Sequence, residues 1–107
     1  MELISREELK EKLDRKDDIK LVMVLGDWQF RAMHIPGSLN ISAPEIIHEL
    51  LDLDDEVVVY CSNPACAASG IAYNQLTALG YKNVRRYAGG ISDWEESGYP
   101  IEGDMVK

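Results

Sequence analysis

Two cysteines, Cys61 and Cys66, lie in the stretch Cys61-Ser62-Asn63-Pro64-Ala65-Cys66-Ala67-Ala68-Ser69, directly after the β-branched run Val57-Val58-Val59-Tyr60. The side chains between and after them are small, so backbone N–H groups can converge on a sulfur there. Those dipoles, added to the partial positive charge of a following helix, are expected to lower the Cys61 thiol pKa and favour thiolate, the reactive form of cysteine. The plain alternative is an inert cysteine buried at a strand end, and position alone leaves both readings open. Cys66 reads either as a compact hydrophobe beneath the loop or as a thiol that pairs with Cys61 in a disulfide. The spacing is not Cys-x-x-Cys. A cysteine phosphatase would neutralise its dianionic substrate with an Arg beside the loop, and residues 62–69 contain neither Arg nor Lys. Zinc would need two more ligands, with only His34 and His48 outside the pair, so no metal is expected.

The elements that must position these cysteines belong to a chain of 107 residues, which predicts a single domain over 1–107 with one core. With 11 Lys plus Arg against 19 Asp plus Glu, the net charge is −8. Only Arg85 and Arg86 are adjacent cations, so nucleic acid and anionic membrane surfaces are unfavoured as partners. No apolar run is long enough to span a bilayer, and the first residues lack the basic segment and apolar stretch of a signal peptide; the expected location is cytoplasmic. Two cysteines are too few for a disulfide scaffold.

Ser5-Arg6-Glu7-Glu8 reads as a capping box before a helix with Leu9 and Leu13 on its apolar stripe. The run 19–25 predicts a strand buried on both faces and ended by Gly26. Asp27 is expected to cap a short helix through Met33, followed by a turn at His34-Ile35-Pro36-Gly37 and a short strand over 39–41. Ser42 and Pro44 predict a helix start, with Ile46, Ile47, Leu50 and Leu51 on one face. A strand over 56–60 comes next. The spacing of Ile71, Tyr73, Leu76 and Leu79 predicts a helix over 67–79 closed by Gly80. A strand over 83–87 and a last helix around Trp94, closed by Gly98, complete the chain. Strands alternating with helices imply an α/β fold, a parallel sheet with helices on both faces. Cys61 then stands beyond the carboxyl end of a strand, where such sheets bind ligands.

The remaining candidates have plainer readings. His34 is expected to fix a turn, and His48, between Glu45 and Glu49, to lie on a solvated face. Trp28, Trp94 and Tyr60 read as core or rim aromatics, and residues 52–56 as an acidic, solvated loop. Gly89-Gly90 lacks the third glycine and later acidic residue of a dinucleotide fingerprint, so no cofactor is expected.

From end to end the chain resembles a single rhodanese (sulfurtransferase) domain. The blocks that carry the likeness are Ile4-Ser5-Arg6-Glu7-Glu8-Leu9, His34-Ile35-Pro36-Gly37-Ser38-Leu39-Asn40-Ile41, Val57-Val58-Val59-Tyr60-Cys61, and Gly80-Tyr81-Lys82-Asn83-Val84 through Tyr87-Ala88-Gly89-Gly90-Ile91-Ser92-Asp93-Trp94 to Gly98-Tyr99-Pro100. The resemblance implies that Cys61 carries sulfane sulfur as a persulfide. The donor would be a small polysulfide, persulfide or thiosulfate-type molecule, the acceptor a thiol or a protein, and residues 62–69 would form the substrate-binding loop. Cys66 would then resolve the persulfide or cap Cys61, modulating the site without being required for transfer. Met23 and Leu25 stand where the family usually has an Asp and an Arg, and the loop is two residues longer than the commoner one. Its neutrality argues against a dianionic donor. A catalytically silent protein-binding or redox-sensing module is the competing expectation.

Overall fold

The computed structural model describes residues 1–41 and 47–106. Nine elements follow one another: α1 (Arg6–Asp14), β1 (Ile19–Met23), α2 (Asp27–Ala32), β2 (Leu39–Asn40), α3 (Ile47–Leu50), β3 (Glu56–Tyr60), α4 (Ala68–Ala78), β4 (Asn83–Tyr87) and α5 (Gly90–Glu96). The sheet is parallel throughout, in the order β2-β1-β3-β4, with Met23 paired to Tyr60 and Tyr60 to Tyr87 in one register row. The expected α/β class, with helices on both faces of a parallel sheet, is the one observed.

Strand alternation divides the core between the two faces. Leu21 and Met23 of β1, Val58 and Tyr60 of β3 and Tyr87 of β4 face Leu9 of α1 and Ile91 and Trp94 of α5. Val22, Val57, Val59 and Val84 face Ile47, Leu51, Leu76 and Tyr81. Because β1 and β3 are covered on both faces, their sequences are continuously apolar at the centre, as parallel strands require. The sequential strand β2 lies on one side of β1 and β3 on the other, so the chain reverses direction across the sheet between β1 and β3. Open α/β sheets bind ligands beside such a reversal, and the carboxyl end of β3, where Cys61 begins its loop, stands there.

Several local expectations are corrected. Ser5 Oγ accepts the Glu8 N–H at 3.1 Å, the expected half of the capping box, but the Glu8 carboxylate takes both Arg85 guanidinium nitrogens, at 2.6 and 2.9 Å, in place of a backbone N–H. Asp27 is the first residue of α2 and Gly26 its cap, because the Asp27 carboxylate pairs with Arg31 one turn on. The strand expected over 19–25 ends at Met23. In α4 only Leu76 of the four expected apolar positions is fully buried; Ile71 and Leu79 are exposed, since the helix meets the sheet through Ala72, Tyr73 and Leu76. Ser42, Pro44 and Ile46 lie outside the described residues. No helix among the described residues is long and apolar enough to cross a membrane.

Candidate functional site

The loop after β3 is shaped by its own short-range hydrogen bonds. Asn63 Oδ1 accepts the Ala65 N–H at 2.9 Å and Asn63 O accepts the Cys66 N–H at 3.0 Å, so the chain doubles back around Pro64. An Asn followed by Pro favours this tight turn. The turn brings Cys66 against Cys61. The Cys61 sulfur lies 3.5 Å from both Cys66 O and Ser69 Oγ, so its single S–H can donate to either.

The Gly89-Gly90 corner before α5 supports the start of the loop. Cys61 O accepts the Ile91 N–H and Ser62 O the Ser92 N–H, both at 2.9 Å. Gly90 has φ +69°, and a Cβ there would stand 2.6 Å from Cys61 O and 2.9 Å from Asn63 N. Only glycine fits so close to another backbone. The pair that fails as a nucleotide fingerprint is therefore a floor for the cysteine loop.

The loop itself is uncharged, yet a cation reaches it from β4. Arg86 Nε donates to Ser69 Oγ at 2.8 Å, and Arg86 Nη2 donates to Cys66 O at 3.2 Å. Ser69 is 1% exposed, so its hydroxyl is fixed between Arg86 and Cys61. The sequence reading missed Arg86 because it lies far along the chain from Cys61. Parallel pairing supplies the link: Tyr60 lies opposite Tyr87, which puts the residue before Tyr87 beside the residue before Tyr60. Met23 is buried in the core beneath α1 and α5. Leu25 offers its carbonyl to Asn40 Nδ2 at 2.7 Å.

The thiols titrate in opposite directions. Burial pushes the Cys61 thiol up, its bond to Cys66 pushes it further, and the Ser69 hydroxyl and N–H only partly oppose this. This corrects the expected depression of Cys61: at 1% exposure, desolvation of the thiolate outweighs the loop dipoles. Cys66 is less buried. Burial raises its pKa too, but bonds from Cys61 and from the Ala68 and Ser62 N–H groups bring it below the ordinary value. The cradle forecast for Cys61 thus serves mainly the second thiol.

The other forecast residues lie elsewhere. His34 Nδ1 contacts Phe30 O at 2.7 Å and Nε2 contacts Glu102 at 2.9 Å, while its ring stacks on Phe30; it fixes the turn, as expected. Tyr60 is a core residue whose buried phenol, with its pKa pushed up to about 12 by desolvation, holds the turn by accepting the Ile35 N–H. Trp94 is core and Trp28 is exposed. His48 falls in α3. Among the described residues no cluster of His, Cys, Asp and Glu is arranged to hold a metal ion.

A family model for the rhodanese-like domain matches residues 5–97. The chain is 30% identical over 87 residues to an HTH-type transcriptional regulator of Mycobacterium tuberculosis; the match covers 79% of this chain and 38% of the regulator. It is 28% identical over 82 residues to the thiosulfate sulfurtransferase GlpE of Pseudoalteromonas translucida, covering 75% of this chain and 76% of that protein. The solved human single-domain sulfurtransferase superposes with a TM-score of 0.76 at 27% identity, over 90% of this chain and 96% of that one.

Proposed function

The chain belongs to the rhodanese-like domain family, and from that premise we propose that it is a sulfurtransferase that carries sulfane sulfur as a persulfide on Cys61. The observation that carries this reading is the placement of Cys61: at the carboxyl end of β3, beside the strand reversal, with its sulfur on Ser69 and Arg86 behind Ser69. The sulfurtransferase names of two relatives support it.

In the resting thiol, Ser69 Oγ accepts from both Cys61 and Arg86. When Cys61 ionises, the Ser69 hydroxyl turns its proton towards the sulfur, while Arg86 continues to donate to the Ser69 oxygen and increases the polarity of its O–H. The thiolate attacks the outer sulfur of a small polysulfide or persulfide; a new S–S bond forms, the donor's S–S bond breaks, and the donor leaves as a thiolate. A thiol or protein acceptor then attacks the outer sulfur of the Cys61 persulfide, takes it, and returns Cys61 as thiolate. Residues 62–69 line this reaction, with Arg86 as the cation that reaches them.

Transfer from polysulfide to a thiol acceptor should be lost in Cys61→Ser and retained in the parent chain; equal turnover by the two would refute the assignment. The burial of Cys61 favours a second reading, a silent binding or redox-sensing module. Alkylation rate against pH, mapped to Cys61, separates them. A carrier shows a Cys61 rate that rises with pH and saturates only above the ordinary thiol range, whereas a silent module leaves Cys61 unreactive throughout.

A further inference from the structure

Building on that reading, we propose that Cys66 attacks the inner sulfur of the Cys61 persulfide, so that the domain also releases its cargo as hydrosulfide and closes a Cys61–Cys66 disulfide. The step balances: the Cys66 thiolate forms a bond to Cys61 Sγ, the Cys61 persulfide bond breaks, and its electron pair leaves on HS⁻. An external dithiol or two monothiols then reduce the disulfide and restore both thiols.

Three features carry this. The turn at Asn63-Pro64 places Cys66 against the Cys61 thiol, with Cys66 N on Asn63 O at 3.0 Å and Cys61 Sγ on Cys66 O at 3.5 Å. Arg86 grips Cys66 O and Ser69 together, so the return of the loop is held from the sheet and not only by its own turn. Cys61 is 1% exposed, so a bulky thiol in solution reaches its Sγ poorly, whereas the Cys66 carbonyl oxygen already lies 3.5 Å from it. The inner and outer sulfurs thus have different partners: solution acceptors reach the outer one, and Cys66 reaches the inner one. The backbone N–H groups of Ser62 and Ala68 on the Cys66 sulfur favour it as the attacking thiolate.

The test loads the protein with polysulfide at alkaline pH, removes the excess, and follows sulfide release and intact mass with no thiol added. The parent chain should release about one hydrosulfide per chain and end lighter than its dithiol form by two hydrogens. Cys66→Ala and Cys66→Ser should hold the extra sulfur on Cys61 and release sulfide at least about tenfold more slowly, since an intramolecular nucleophile is lost. They surrender the sulfur only when a thiol is added. A parent chain that keeps its sulfur, or variants that release it at the parent's rate, would overturn the proposal. If neither the parent nor the variants ever gain sulfur on Cys61, the persulfide reading itself fails and the release step with it. Loading without release sinks the release step alone.

Discussion

Arg85 and Arg86 are neighbours in β4, yet they serve opposite faces of the sheet. Arg85 reaches α1, where it forms a two-nitrogen clamp on Glu8 and donates to Leu3 O at 3.0 Å. Arg86 reaches the cysteine loop, where it holds Ser69 and Cys66. One cation ties a helix to the sheet edge, and the other ties the residues around a thiol. The period-2 alternation of a strand makes the difference, because adjacent side chains must leave on opposite faces. Identical chemistry is thus divided between architecture and site by the position of one residue along β4.

The largest expected effect lies beneath this comparison, at the floor that both halves of the loop share. In Gly90→Ala a methyl group would meet Cys61 O and Asn63 N at a positive φ, and unfolding stability should fall by roughly 3 kcal/mol, read from a denaturant midpoint. A midpoint equal to the parent's would show that the loop yields freely, and that the site is not held from α5.

Arg86→Ala comes next and tests the chemical side. Ser69 then loses its cation, so sulfur transfer should fall on the order of tenfold through misplacement of the thiol's partner. The alkylation profile of Cys61 should also move to higher pH, because the hydroxyl that stabilises its thiolate is less polar. A merely structural arginine would lower stability and leave that profile in place.

Arg85→Ala should give the smallest change. Its clamp on Glu8 is half exposed and screened by salt. The hydrogen bond from Arg85 holds the Glu8 carboxyl below its ordinary value of 4.5, so the pair stabilises the fold above that pH and loses its contribution as the pH falls through the lowered value. Removing Arg85 should therefore flatten the acid limb of the stability curve slightly and leave sulfur transfer untouched. Loss of transfer in this variant would erase the distinction between the two arginines.

Local signals placed β3 and β4 at their observed bounds, and β3, buried on both faces, is the short run of β-branched and aromatic residues that such a position requires. They also placed Cys61 at a strand end. Arg86 was not legible, since its role depends on register between β3 and β4, a non-local fact. For the same reason the sequence around Glu8 shows a capping residue and not its partner Arg85, which lies across from it in the fold. Gly89-Gly90 could be scored only against phosphate-binding motifs, because its true neighbour, the backbone of Cys61 to Asn63, is distant in sequence. The direction of the Cys61 pKa is not legible for a different reason: loop composition displays dipoles but not burial.

The central claim is that Cys61 bears the transferred sulfur. It is tested most directly by loading Cys66→Ser with polysulfide, blocking free thiols and the persulfide with an alkylating agent, and mapping the added sulfur by peptide mass. The account predicts one additional sulfur atom on the peptide containing Cys61, and none in the Cys61→Ser, Cys66→Ser double variant. Sulfur retained by the double variant, or absent from the Cys61 peptide under conditions where a free thiol is readily persulfidated, would contradict it.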